Sequence, residues 1–396
     1  MSPNLQANIR KLYIFSFLKM MLFPMAIITL FWKDHIGLTL TEIMLLQAVF
    51  SLASLSLEYP SGYLSDRLGY RFSLNIATLF GIVGWSLYTV AGSFTGVLVA
   101  EILLGISYAF ISGSDSALLF ETLKQQKKEQ LYALYDGRMS GFAQIGEAVG
   151  ALGAGLLYAA FPLLPFLIQI LVWIVALLIT LSLREVEKAQ PPERSHLHEM
   201  IATWRLAWRD NARIRGTILL ATSAGLASFY PVWLIQPYMQ ANHLPLVWFG
   251  PVWAVANLTV ALFSFLSHRA AFFLGQRGVL ILAGVLTLIG YLGLGLTAGL
   301  YSFLFYYLLT AMRGLLGPFL RHFLQKEGER KNRAGLLSLK ALAFRLGFVV
   351  TAPFIGLMAD SGGVRETFLL LGAPIVVATV LSSLYFYRVQ SQKMIE

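Results

Sequence analysis

Cysteine is absent from the 396-residue chain. That absence excludes disulfides, thiol nucleophiles and thiolate metal sites. Histidine is scarce, with six residues scattered and no HxxxH pair, so no metal centre is expected. No P-loop and no GxGxxG opens a helix, so neither ATP hydrolysis nor a nucleotide cofactor is expected. No cofactor of any kind is implied, and no enzymatic activity. The opening MSPNLQANIRKLY lacks the short apolar core and small-residue cleavage site of a secretory signal, so the first helix is expected to be retained. Charge is scarce too, at 13% of residues, where a soluble domain carries about 25%.

What the chain has instead is apolar sequence, 57% of the total. It falls in blocks of about 20 residues, the length that spans a hydrocarbon core of ~30 Å. The blocks do not alternate as barrel strands would. Backbone polar groups in lipid must be satisfied internally, so an all-α membrane protein is expected. Twelve transmembrane helices are predicted, near 11–32, 41–64, 72–93, 96–119, 139–160, 163–183, 215–237, 246–267, 278–299, 301–322, 335–358 and 367–388. The long polar interval 184–213 holds Pro191 and Pro192 and ends in an amphipathic stretch with Trp204 and Trp208. It divides the chain into six-helix bundles at 1–183 and 214–396, joined by a linker.

The net charge of +10 has a topological origin. With the N-terminus inside, the inner segments collect Arg10, Lys11, Arg67, Arg71, Lys124, Lys127, Lys128 and the basic linker, while the outer loops hold Lys33 and Arg365. Cytoplasmic loops are enriched in Lys and Arg, so both termini are expected in the cytoplasm. The basic balance therefore argues for a lipid bilayer as partner and not for nucleic acid.

One loop carries a dense cluster of charge: SGYLSDRLGYRFSL, residues 61–74. It returns in weaker form, since LSDRLGYR at 64–71 and LSHRAAFFLGQR at 266–277 both begin Leu-Ser-x-Arg and end Gly-x-Arg. A loop recurring at the same place in two halves is the mark of a transporter built from parallel repeats. Residues Gly62, Asp66, Arg67, Gly69 and Arg71 resemble the loop signature G-x-L-x-D-R-x-G-R-[KR] of the major facilitator superfamily, with Tyr70 where a basic residue is usual. EYPSG at 58–62 and SGSDSALLFETL at 112–123 are similar to a bacterial branch of drug and metabolite permeases. The resemblance implies two pseudo-symmetric six-helix bundles in the bacterial cytoplasmic membrane, as a monomer. It also implies that Asp66 faces the N-terminus of span 11 as a gating latch. Gly62 and Gly69 are expected to permit close approach and positive φ.

Ionisable residues inside spans are costly and default to functional candidates. Counting ~1.5 Å per residue puts Glu147 about 12 Å into span 5, near the midplane, with Arg313 and Arg345 at roughly 18 and 15 Å in theirs. Glu147, Glu101 and Glu58 are the candidate proton carriers. Lys19, Arg313 and Arg345 are candidate donors to an anionic solute, with Lys19 and Glu58 also able to pair. Tyr230, Trp233 and Gln236 are candidate cavity-lining residues. Asp115 and Arg138 are expected to form a structural ion pair. The run Gly146–Gly155 resembles the span 5 antiporter signature G-x-x-x-G-P-x-x-G-G, with Ala151 replacing proline and Ala154 replacing a glycine. Span 4 has Glu101 where many proton antiporters carry arginine. The functional expectation is a secondary transporter of a small organic solute, by proton-coupled efflux. The alternative is an importer or exchanger of an anionic metabolite or siderophore.

Overall fold

The computed structural model describes residues 3–186, 204–327 and 333–391. Most of the linker, 187–203, lies outside them. Among the described residues the regular structure is entirely helical. The main helices are α1 Pro3–Met20, α2 Leu40–Leu68, α3 Tyr70–Tyr88, α4 Phe94–Ile111, α5 Ser114–Gln125, α6 Tyr132–Ala160, α7 Leu164–Ser182, α8 Ala212–Ala241, α9 Phe249–Leu296, α10 Tyr306–Glu327 and α11 Arg333–Ser391. Among the described residues, eight helical stretches are long and apolar enough to cross a membrane. Leu246–Leu296 and Gly335–Ser391 have 51 and 57 residues. At ~1.5 Å per residue each far exceeds one ~30 Å crossing. Each bends at one glycine with positive φ, Gly275 and Gly363.

The chain divides into two compact units, one of residues 1–192 and 245–254, the other of 193–244 and 255–396. In the first, α4 lies against α2 and α3, α3 against α7, and α1 against α6 and α7. In the second, α8 is the central helix, packed on α10 and α11. The end of the linker docks here. Ala207 is buried with Ile214, Ile218, Leu324, Leu336 and Leu339, and Trp208 covers the cluster. Trp204 remains exposed.

Two spans and one loop differ from their sequence outlines. Span 1 is not continuous, because α1 stops at Met20 and regular structure resumes only at Ile28–Leu30, followed by a π-helical stretch at Phe31–Ile36. The cause is Pro24, which lacks an N–H and whose ring collides with the carbonyl four residues back, that of Met20. Span 4 is cut between Ile111 and Ser114, where Gly113 has φ +84°. The charged loop after span 2 is hardly a loop. Helix α2 runs through it to Leu68, and α3 begins at Tyr70. Gly69, at φ 113° and ψ 148°, alone separates the two. In the second copy, α9 likewise continues to the same point and breaks only at Gly275, φ 66° and ψ 177°. The repeat thus preserves a single-glycine break rather than a loop, and a side chain would be strained at either position.

Candidate functional site

Gly69 has a second constraint. The Glu185 carboxylate lies where a Cβ at position 69 would stand. Glu185, just past α7, accepts the Tyr70 N–H at 3.0 Å and the Arg71 N–H at 2.9 Å. It therefore caps α3, satisfying two of the N–H groups a helix start leaves open. Arg71 completes the clasp by donating from Nη2 to the Leu181 carbonyl at 2.6 Å. Asp66 is exposed and accepts from the Tyr70 hydroxyl at 3.3 Å. Tyr70, at the open end of α3, is pushed up to about 12 by partial burial and then by Asp66, so it donates across the physiological range. Arg67 is exposed and lies over the Tyr63 ring, 4.8 Å from its centroid. Gly62 corrects an expectation: it has ordinary helical backbone, is exposed, and would accept a Cβ without contact.

Below the loop runs a chain of buried serines. Ser61 donates to the Ala109 carbonyl at 2.9 Å, and the Ser65 hydroxyl meets Ser73 at 2.5 Å and Ser114 at 2.9 Å. It ties α2 to α3, α4 and the start of α5. Serines scattered through apolar helices gave no sequence signal, because their spacing matches no motif.

Glu101 on α4 is 4% exposed. Its Oε2 accepts from Gln47 Nε2 at 3.0 Å, and its Oε1 accepts from the Tyr88 hydroxyl. Gln47 comes from α2 and Tyr88 from α3, so three helices converge on one carboxyl group. Tyr88 is fully buried, with Trp32 beside it at a ring separation of 6.2 Å. Glu147 and Glu58 are only half-buried.

Asp115 does not pair with Arg138. Its salt bridge is to Lys19. Arg138 is exposed and lies over the Tyr135 ring at 5.6 Å. The reason is the break at Gly113, which starts α5 beside α1 instead of continuing span 4 straight. Lys19 is likewise claimed by Asp115 and not by Glu58. Gly146 and Gly150 explain the span 5 run. A Cβ on Gly146 would overlap the Phe17 carbonyl, and one on Gly150 would lie 2.7 Å from the Leu22 nitrogen. These glycines let α6 rest directly on the backbone of interrupted span 1. Gly155 similarly lies against Leu246, at the entry to α9.

In the second unit Tyr230, Trp233 and Gln236 are all buried in α8. The Tyr230 hydroxyl meets Thr351 Oγ1 at 2.5 Å, and its ring stacks on Phe348 at 5.9 Å. Trp233 stands edge-on to Phe229. Arg345 is half-buried and Arg313 is exposed on α10. No group of three metal-ligating side chains occurs among the described residues.

A chain that is helical throughout its described residues, with many long apolar helices, a duplicated glycine break and a part-buried ion pair between two interrupted spans, has the form of a membrane transporter. The family model described as Major Facilitator Superfamily matches residues 12–327, and the chain belongs to that family of transporters, which are not enzymes. It is an integral membrane protein. It is 28% identical over 152 residues to an uncharacterized MFS-type transporter, YxaM, of Bacillus subtilis (strain 168), covering 38% of this chain and 36% of that one. It is 26% identical over 247 residues to the fosmidomycin resistance protein of Escherichia coli (strain K12), covering 58% and 57%. The matches thus span from about a third to little over half of these curated relatives. Among solved structures, a point mutant of the nucleoside transporter NupG superposes with TM-score 0.79 at 14% identity, covering 96% of this chain and 99% of that one. A bacterial homolog of the human lysosomal transporter Spinster, inward-facing, gives 0.75 at 16%, covering 98% and 97%. At such identities the likeness concerns the fold.

Proposed function

We propose that this protein is a secondary active transporter that moves a small organic solute by alternating access, driven by protons in the direction of efflux. The observation that carries the coupling is Glu101, a carboxyl group sealed among three helices with donors on both oxygens. Burial disfavours the charged form of a carboxyl group, and opening the site to water restores it. A group alternating between such surroundings loads and releases a proton as the protein changes state. Glu101 therefore takes precedence over the half-buried Glu147 and Glu58. Efflux finds support in the likeness to a resistance protein.

Twelve spans follow from the eight apolar stretches if the two long ones each cross twice and α1 and α3 are counted. Both termini then lie on one side, the cytoplasmic one by the Lys and Arg distribution. Asp66, with Arg67 and Arg71, is the gate. In support, Glu185 already caps α3, which leaves Asp66 with one phenol donor and open to a further partner. The test is uptake into reconstituted vesicles under an imposed pH gradient, with Glu101→Gln compared to wild type in the same preparation. A second reading, exchange of an organic anion without protons, is favoured by Lys19. It predicts counterflow indifferent to the gradient.

A further inference from the structure

Two interrupted spans meet at one ion pair. Because α1 ends at Met20, Lys19 lies in its last turn, where open carbonyls favour a cation. Because α5 begins at Ser114, Asp115 lies in its first turn, where open N–H groups favour an anion. Each charge is thus suited to its own helix end before the two meet. They differ in how firmly they are held. Asp115 has two attachments: Oδ1 accepts the Ser116 N–H at 2.7 Å, and Oδ2 takes Lys19. The Lys19 ammonium has Asp115 and the Phe15 ring, 5.9 Å away. The Lys19 side chain is 19% exposed and that of Asp115 only 7%.

We propose that Lys19 is the anion-binding residue of the transport site, and that the carboxylate of a small organic solute displaces Asp115 from it. The proposal rests on the transport reading above. An ammonium group is a compact point charge with three donors on a flexible stem, so it takes one small anionic group without demanding a matching fork. When Lys19 turns to the solute, Asp115 keeps the Ser116 N–H and the positive end of α5. Neither charge is left without a partner in either state, which makes the pair exchangeable. The main chain around Lys19 stays in place, since α6 rests on Phe17 before it and Leu22 after it through Gly146 and Gly150. Only the side chain has to move.

The test uses full-length protein in nanodiscs, titrated with sodium acetate, benzoate and citrate, with benzamide and sodium chloride as controls at constant ionic strength. A ligand of the folded state raises the unfolding temperature. At least one carboxylate is expected to do so, and benzamide is not. Lys19→Gln should abolish that shift and Lys19→Arg should retain it. Asp115→Asn removes the competing carboxylate, so it should lower the half-saturating concentration by about tenfold. This last variant carries the test should Lys19→Gln fail to fold, because a merely structural pair has no route to tighter binding. A shift unchanged in Lys19→Gln, weaker binding in Asp115→Asn, or no carboxylate shift in wild type or Asp115→Asn would each overturn the proposal. Counterflow of the bound carboxylate in vesicles separates the two readings. Binding through Lys19 without flux removes the transport reading and leaves the site, whereas flux that survives Lys19→Gln removes the site and leaves transport.

Discussion

Glu101, Glu147 and Glu58 are alike in sequence, acidic residues set in apolar helices, and their surroundings separate them. Glu101 is enclosed by Gln47 and Tyr88, and the other two are half open. Glu101→Gln imitates the protonated state, so pH-driven accumulation should fail while solute exchange in the same vesicles survives. Retained pH-driven uptake would move the coupling to Glu147 or Glu58. Tyr88→Phe leaves one carboxyl oxygen without its donor and should cost about 1–3 kcal/mol of stability, read from thermal unfolding. The loop offers a sharper contrast. Glu185→Ala removes the α3 cap and should cost about 0.5–2 kcal/mol. Gly62→Ala should be nearly silent, although both signature glycines look equal in the sequence. Glu101 was legible as a charge in an apolar block. Its partners were not, because they lie 54 and 13 residues away and nothing local marks them.

At the scale of the element, the breaks decide where chemistry sits. Pro24 ends α1, and the fully buried Gln169 on α7 accepts the Phe23 N–H that the break frees, at 2.9 Å. Gln169→Leu strands that donor in an apolar setting and should cost about 1–3 kcal/mol. Hydrogen exchange of residues 21–27 should quicken in that variant, and unchanged protection would show that the contact does not hold the interruption. Gly150→Leu should be far worse, since its side chain would enter the backbone of span 1. The glycine run is visible in the sequence, where it resembles a transport signature. Its neighbour was not visible, because a small residue shows that something comes close without showing what. The break at Gly113 falls in the polar stretch SGSDS, residues 112–116, inside what reads as a single span, 96–119, and the true partner of Asp115 was not visible there.

Across the whole molecule, the absence of cysteine makes orientation directly measurable. Single cysteines at Lys33 or Arg365 should react with a membrane-impermeant maleimide in intact cells, and one at Lys128 only after permeabilisation. Labelling of Lys128→Cys from outside would reverse the assigned topology. Composition, the length of the apolar blocks, the bias of Lys and Arg and the repeated Leu-Ser-x-Arg…Gly-x-Arg segment determined by themselves that this chain is a helical membrane protein of the transporter kind. Those properties come from the solvent: lipid imposes length, apolarity and internally bonded backbone on every crossing, and each constraint is written residue by residue along the chain. Tertiary structure decided the partners. It joined Asp115 to Lys19, Glu185 to the start of α3, and Gln47 and Tyr88 to Glu101. A charge inside an apolar helix must find a counterpart, but the helix positions only its own side chains. Which neighbour arrives depends on breaks at Pro24 and Gly113 and on packing between helices distant in sequence.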